Sequence, residues 1–258
     1  HLAGLVDDPK RVHETGLMAL REYFEALAAQ HPVLMLLEDL HWADDSSLDA
    51  LNHLALALAR KAAMIASAAR PVLYERRPHW GEGQALHRRL LLEPLTRRNT
   101  RRLLGEILQR ADDVPAMLSD LVVAGAEGNP FFVEELIKML VEDEVIVKGE
   151  DKWRVEPSRL RQVRVPATLR GVLQARLDRL PVEDRTVLQQ ASVVGRLFWD
   201  RAVVRINESA ADGVQEGEVL ETLSGLRGRE MVFQRETTAI AGAQEYVFKH
   251  AVLREVTY

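Results

Sequence analysis

Two adjacent carboxylates, Glu38 and Asp39, follow directly on five apolar residues, Val33 to Leu37, and run into the polar turn LHWADDSS. A short continuous apolar run reads as a buried strand of a parallel sheet. Ligands of such sheets sit beyond the carboxyl ends of the strands. Acids placed there could hold a hard cation such as Mg2+, which takes one or two carboxylates and completes its shell with water and substrate phosphates. The same pair could equally be a solvated strand end or cap the helix that follows, and the residues alone leave both readings open.

Elements on either side must position such a pair. Leu17, Leu20, Phe24 and Leu27 recur at helical spacing and predict an amphipathic helix over 11–30 that stops near His31-Pro32. After the turn, Ser46 and Asp49 form a Ser-x-x-acid cap for a helix through Arg60, with Leu48, Leu51, Ala55 and Leu58 on its apolar face. Apolar segments at Ala63 to Ser67 and Leu90 to Leu92 predict two further strands. The alternation is that of an α/β parallel sheet.

From Thr96 onward the pattern is helical. Thr96 caps a helix bearing Leu103, Leu104, Ile107 and Leu108, and Pro115 opens one bearing Leu118, Leu121 and Val122. GNPFFVEELIKMLVEDEVI starts a third, in which Gly128 supplies a tight turn, Pro130 fixes the helix start, and Val133, Leu136, Ile137 and Leu140 face inward. A hairpin joins Val145–Val147 to Trp153–Val155. Beyond Val165-Pro166 come helices at 167–180 and 183–194, a polar loop over 207–217, and a helix bearing Val219, Leu220, Leu223 and Leu226. Strands at Met231–Arg235 and Glu245–Phe248 close the chain as a hairpin. Helices followed by a hairpin predict a winged-helix type of domain.

The 258 residues are 47% apolar and 28% charged, an ordinary globular balance, with a net charge of −5 that argues against wholesale nucleic-acid binding. Arginine runs at 88–102 and 159–170 lack interleaved aromatics, so base stacking has no platform and direct nucleic-acid binding is not expected. The absence of cysteine excludes disulfides and thiolate chemistry. No apolar run approaches the ~20 residues of a membrane helix. The chain starts at His1 rather than Met and stops at Tyr258 inside an apparent helix, so it reads as a segment of something larger.

EDLHWADDSSLDAL, Arg70-Pro71 after the next strand, GNPFFVEEL, VPATLRGVLQARLDRLP, ASVVGRLF and FKHAVLREVTY occur in that order. Together they resemble the AAA-like (AAA_16 or Orc1-like) ATPase region of STAND-class bacterial regulators, which is joined to adenylate cyclase, protein kinase or LuxR-type DNA-binding domains. The resemblance implies an α/β part that is the C-terminal portion of a P-loop NTPase sheet (1–95), a helical lid (96–164) and a winged-helix domain (165–258). It implies ATP and Mg2+ as cofactors, with VLMLLED as the Walker B strand. Glu38 and Asp39 would hold the metal and polarise water, though many relatives carry Asp at the first acidic position. Arg70 resembles the sensor arginine. Gly128, Asn129 and Pro130 would lie in the lid near the adenine, and His250 resembles a winged-helix histidine that touches nucleotide phosphate. His41 and Trp42 are expected to shape the loop rather than do chemistry.

The partners implied are ATP or ADP, a fused output domain and tetratricopeptide-like repeats outside the segment, with a cytoplasmic location and homo-oligomers as a further option. One departure is large. A phosphate-cradling loop needs GxxxxGK[ST], and none of the 15 glycines is followed by lysine. The expectation is an ATP-dependent regulatory switch with its Walker A motif upstream of His1, and poor ATP binding by this segment alone; the alternatives are a degenerate, non-hydrolysing scaffold of the same fold and, behind it, a winged-helix DNA-binding protein.

Overall fold

The structure, a computed structural model, describes residues 8–209 and 216–258. It divides into two compact units, one up to Leu91 and one from Leu92 onward. In the first, α1 (Pro9–Gln30) is capped by Asp8 and ends before Pro32. Then come β1 (Val33–Leu37), a single 3-10 turn at Leu40–Trp42, α2 (Asp45–Leu58), β2 (Ala63–Ser67) and α3 (Val72–Arg76). β1 and β2 pair in parallel, from Val33 opposite Ala63 to Leu37 opposite Ser67, as the two apolar runs predict.

The cap of α2 differs from expectation. Asp44, not Ser46, is the N-cap: its carboxylate accepts the Ser47 N–H at 2.9 Å and both the Ser46 and Ser47 hydroxyls. A charged acceptor suits the positive end of a helix better than a hydroxyl. These donors hold the Asp44 carboxyl well below the usual carboxylate range. Asp49 pairs with Arg77 instead.

Leu40, Leu48 and Leu73 form the small core of this unit, with Leu51, Tyr74 and Trp80 against it. The other face of the strands stays open: Leu34, Leu36 and Met64 are 61%, 69% and 63% exposed. Parallel sheets are ordinarily covered on both faces. The strand expected at Leu90–Leu92 does not form; these leucines are exposed and unpaired in any ladder. A strand exists only where a neighbour takes its backbone groups, and none does so among the described residues.

In the second unit α4 (Arg97–Ile107), capped by Thr96 as expected, is followed by α5 (Ala116–Ala126) and α6 (Pro130–Glu142). Antiparallel β3 (Ile146–Lys148) and β4 (Trp153–Val155) and the short α7 (Pro157–Leu160) come next. This part packs around Leu118, Val133, Leu136, Leu140 and Ile146. A second core, around Leu188, Phe198, Val203, Leu223 and Phe248, lies among the remaining elements. These are α8 (Leu169–Asp178), α9 (Val182–Val194), β5 (Leu197–Trp199), α10 (Asp200–Glu208), α11 (Glu216–Gly228), β6 (Val232–Gln234), β7 (Glu245–Phe248) and α12 (Ala251–Thr257). α8 serves both cores, with Val172 in the first and Leu173 and Leu177 in the second.

The expected hairpin is there, but β5 adds to it and makes a three-stranded antiparallel sheet in the order β5-β7-β6. The loop expected over 207–217 is shorter at both ends, because Asn207 and Glu208 belong to α10 and Glu216 and Gly217 to α11; 210–215 lie outside the described residues. Among the described residues no helix is long and apolar enough to cross a membrane.

Candidate functional site

The carboxyl ends of β1 and β2 are laced together past their last residue pair. Ala68 donates to the Leu37 carbonyl at 2.8 Å and Leu40 donates to the Ala68 carbonyl at 3.0 Å. This fixes the two chain exits side by side. Glu38 and Asp39 leave β1 at this edge with exposed side chains, and Arg70, also exposed, follows β2. Asp39 adopts the left-handed conformation (φ 54°, ψ 32°), which Asp tolerates better than most residues, and so turns the chain into the 3-10 turn.

His41 sits buried beneath this edge. Its Nδ1 accepts a long bond from the Arg70 N–H at 3.4 Å, while Nε2 has no partner. The imidazole thus links the turn after β1 to the segment after β2, which is the shaping role expected of it. Trp42 stacks loosely on His41 and is largely exposed. Arg76 on α3 donates to the carbonyls of Ala43 at 2.5 Å and His41 at 3.5 Å, and Arg77 pairs with Asp45 and Asp49 on α2. This clamp was not foreseen. Adjacent arginines at the end of a five-residue helix give no periodic signal, and their partners lie about 30 residues upstream.

Three of the sequence-predicted site residues, Glu38, Asp39 and Arg70, therefore share one sheet edge. Their donor set, two hard carboxylates on an exposed strand end, fits a cation that takes most of its shell from water and phosphate. Among the described residues no group of three or more His, Asp or Glu side chains could hold a metal by itself.

The other four predicted residues meet in the second unit. Gly128 has φ +79°, and its carbonyl accepts the Leu95 N–H at 2.8 Å. A Cβ there would lie 2.4 Å from the Leu95 carbonyl oxygen and 2.9 Å from its nitrogen, so only glycine fits. Asn129 caps α6 through Oδ1, which accepts the N–H groups of Phe131 at 3.0 Å and Phe132 at 3.3 Å, and Pro130 opens the helix. Each of the three thus has local structural work.

His250 lies against Phe131 with ring centroids 3.6 Å apart, which joins the GNPFF and FKHAV segments. Its Nε2 is buried without a partner. Burial, aided by Lys249, Lys138 and Arg196 and opposed by Glu135, pushes the imidazole down to about 4, so it is neutral at physiological pH.

Residues 98–154, from α4 to β4, match a domain of unknown function, DUF8739. An uncharacterized protein of Rhizobium meliloti (strain 1021), R02095, is 28% identical over 195 residues, which are 73% of this chain and 17% of that relative. The chain thus spans 17% of the curated relative's length. Among solved structures, the Aeropyrum pernix Orc1 protein in complex with DNA overlaps at a TM-score of 0.40 and 14% identity, covering 90% of this chain and 65% of Orc1. The Walker-type ATPase PABY2304 of Pyrococcus abyssi overlaps at 0.36 and 13%, covering 92% and 67%. Scores this low carry no functional weight.

Proposed function

We propose that this chain is part of a nucleotide-dependent regulatory switch of the STAND ATPase class, carried within a longer protein. The observation behind the reading is the convergence of Glu38, Asp39 and Arg70 on one carboxyl edge of a parallel strand pair. In this reading β1 is the Walker B strand. Mg2+ held at Glu38 and Asp39 would neutralise charge on the phosphate oxygens of ATP. One carboxylate binds and the other orients the attacking water, while the Arg70 guanidinium reaches a terminal phosphate oxygen with charge-assisted hydrogen bonds.

The phosphate-cradling loop has no counterpart among these residues, so the reading assigns it to another part of the protein. The open face of Leu34, Leu36 and Met64 and the unpaired Leu90–Leu92 segment suit further strands and a helix of an NTPase core. Residues 96–164 act as the lid, with Pro130 toward the adenine. Residues 165–258 act as a winged helix that serves as an intramolecular switch, with His250 toward phosphate. A fused output domain, tetratricopeptide-like repeats and a cytoplasmic location complete the proposal.

The test uses the full-length protein. Glu38→Gln and Asp39→Asn each lower ATP turnover by about 10²-fold or more. Both side chains are exposed, so folding stability stays within about 0.5 kcal/mol of the parent. Unchanged hydrolysis in both variants removes the Walker B assignment. A parent protein that binds ATP without turning it over identifies a non-hydrolysing scaffold.

A further inference from the structure

His41 stands at a position where burial favours an apolar residue. It follows Leu40, a member of the small core with Leu48 and Leu73, and only 6% of its surface is exposed. Its Nδ1 accepts the Arg70 N–H at 3.4 Å, which puts the ring's proton on Nε2. That second nitrogen is buried and finds no acceptor among the described residues. A buried donor left without a partner costs more than one long hydrogen bond returns. Stability would be better served by an apolar side chain, so the reason for an imidazole lies in what its bond to Arg70 does.

That bond ends on the segment after β2. Ala68 is tied twice to the exit of β1, through its N–H to the Leu37 carbonyl and through its carbonyl to the Leu40 N–H. One residue separates it from Arg70, whose N–H goes to His41 and whose carbonyl accepts the Leu73 N–H at 3.1 Å at the start of α3. Pro71 follows and restricts the Arg70 backbone further. Both backbone groups of Arg70 are therefore committed, and its exposed side chain leaves from a fixed origin. On the other side of the bond, the His41 carbonyl accepts Arg76 at 3.5 Å, and Asp39, two residues earlier, holds the left-handed turn. The imidazole thus carries a bond from the turn that bears the acid pair to the backbone of Arg70.

We propose that His41 is a positioning residue: through Nδ1 it sets the origin of the Arg70 guanidinium relative to the Glu38 and Asp39 carboxylates. It acts through Arg70 and makes no contact of its own with the nucleotide. A guanidinium has to meet a phosphate oxygen in its fork geometry. A misplacement of about 1 Å in a reacting array costs about 10²-fold in rate. The kinetic consequence rests on the nucleotide reading of this edge, whereas the hydrogen bond does not.

The test uses the full-length protein. His41→Leu fills the site without an acceptor, so its melting temperature stays at or above that of the parent. Its kcat for ATP falls about 10-fold while KM stays within about twofold. His41→Asn carries an acceptor as many bonds from the backbone as Nδ1, so kcat returns to within about threefold of the parent, although the smaller side chain lowers the melting temperature. Turnover and stability then move in opposite directions, which a side chain that only supports the fold does not produce. Arg70→Ala lowers kcat about 10²-fold, and adding His41→Leu to it costs nothing more, because the tether has no guanidinium left to position. Hydrogen exchange at the Arg70 amide, read by mass spectrometry without nucleotide, is slow in the parent and in His41→Asn and about tenfold faster in His41→Leu. Equal exchange in all three proteins, a parental kcat in His41→Leu, or a His41→Leu loss that adds in full to that of Arg70→Ala overturns the positioning role and leaves the Walker B reading in place. Unchanged turnover in Arg70→Ala, Glu38→Gln and Asp39→Asn alike removes the nucleotide reading itself, and the role of His41 with it.

Discussion

Replacing Gly128 with alanine tests whether the GNP turn is needed by the fold itself. The perturbation has three parts. A non-glycine residue held near φ +79° costs about 1–2 kcal/mol. The new Cβ would stand 2.4 Å from the Leu95 carbonyl oxygen, so backbone must move. That movement weakens the Leu95 N–H bond to Gly128, worth about 1 kcal/mol net. Together these predict a loss of about 2–3 kcal/mol, confined to the second unit. Urea denaturation followed through Trp153 and Trp199, with Trp42→Phe and Trp80→Phe silencing the first unit, reads that unit alone. A loss below about 1 kcal/mol would refute the reasoning, because it would mean the turn relaxes at little cost. The expected loss would account for this glycine without any ligand.

The remaining predictions concern the same surroundings. Asn129→Ala costs about 1 kcal/mol through the lost α6 cap, whereas Asn129→Asp, which keeps an acceptor, changes stability by under about 0.5 kcal/mol; thermal unfolding separates the two. Acid should weaken the second unit in two windows. His250 is held at about 4 by burial, below its ordinary 6.5, so the unfolded chain protonates first and stability falls as pH drops from 6.5 toward 4. Glu230 is held at about 2 by Lys138 and Lys249, so its contribution is present above pH 4.5 and is lost between 4.5 and 2. Unfolding followed against pH should lose the upper window in His250→Gln and the lower one in Glu230→Gln; retention of both in both variants contradicts the assignment.

Local signals were legible where the physics is local. The Thr96 cap and the inward face of α6 each depend on residues within one or two turns, and each appears as expected. The apolar run of β1 forms its strand, but not the buried strand it predicts, because Leu34 and Leu36 lie on a face that nothing covers among the described residues. What failed depends on distant partners. Leu90–Leu92 has the composition of a strand but no neighbour to pair with. β5 is three residues long and exists because β7, nearly 50 residues later, lies beside it. The Ser46 cap lost to Asp44 on chemistry visible in the sequence, since a carboxylate two residues earlier offers the stronger acceptor. The buried pairing of Glu135 and Glu142 on α6 with Arg176 gave no sign in the sequence, because Arg176 lies 34 residues beyond Glu142 and has no periodic relation to them.

The candidate residues also divide by what substitution can reveal. Glu38 and Arg70 are exposed at a strand edge whose geometry is set by backbone bonds and by His41, so their side chains can be changed with little effect on packing, and at Asp39 the change to Asn keeps a residue that tolerates the left-handed turn. A lost activity there would report chemistry. Gly128, Asn129 and His250 are the reverse case, since each closes a turn, a helix end or a ring contact. Lost activity on changing them would report the fold unless stability is measured beside it. The sheet edge is therefore the place where a nucleotide role can be decided by kinetics. At the GNP turn and at His250 the same question must first be asked thermodynamically.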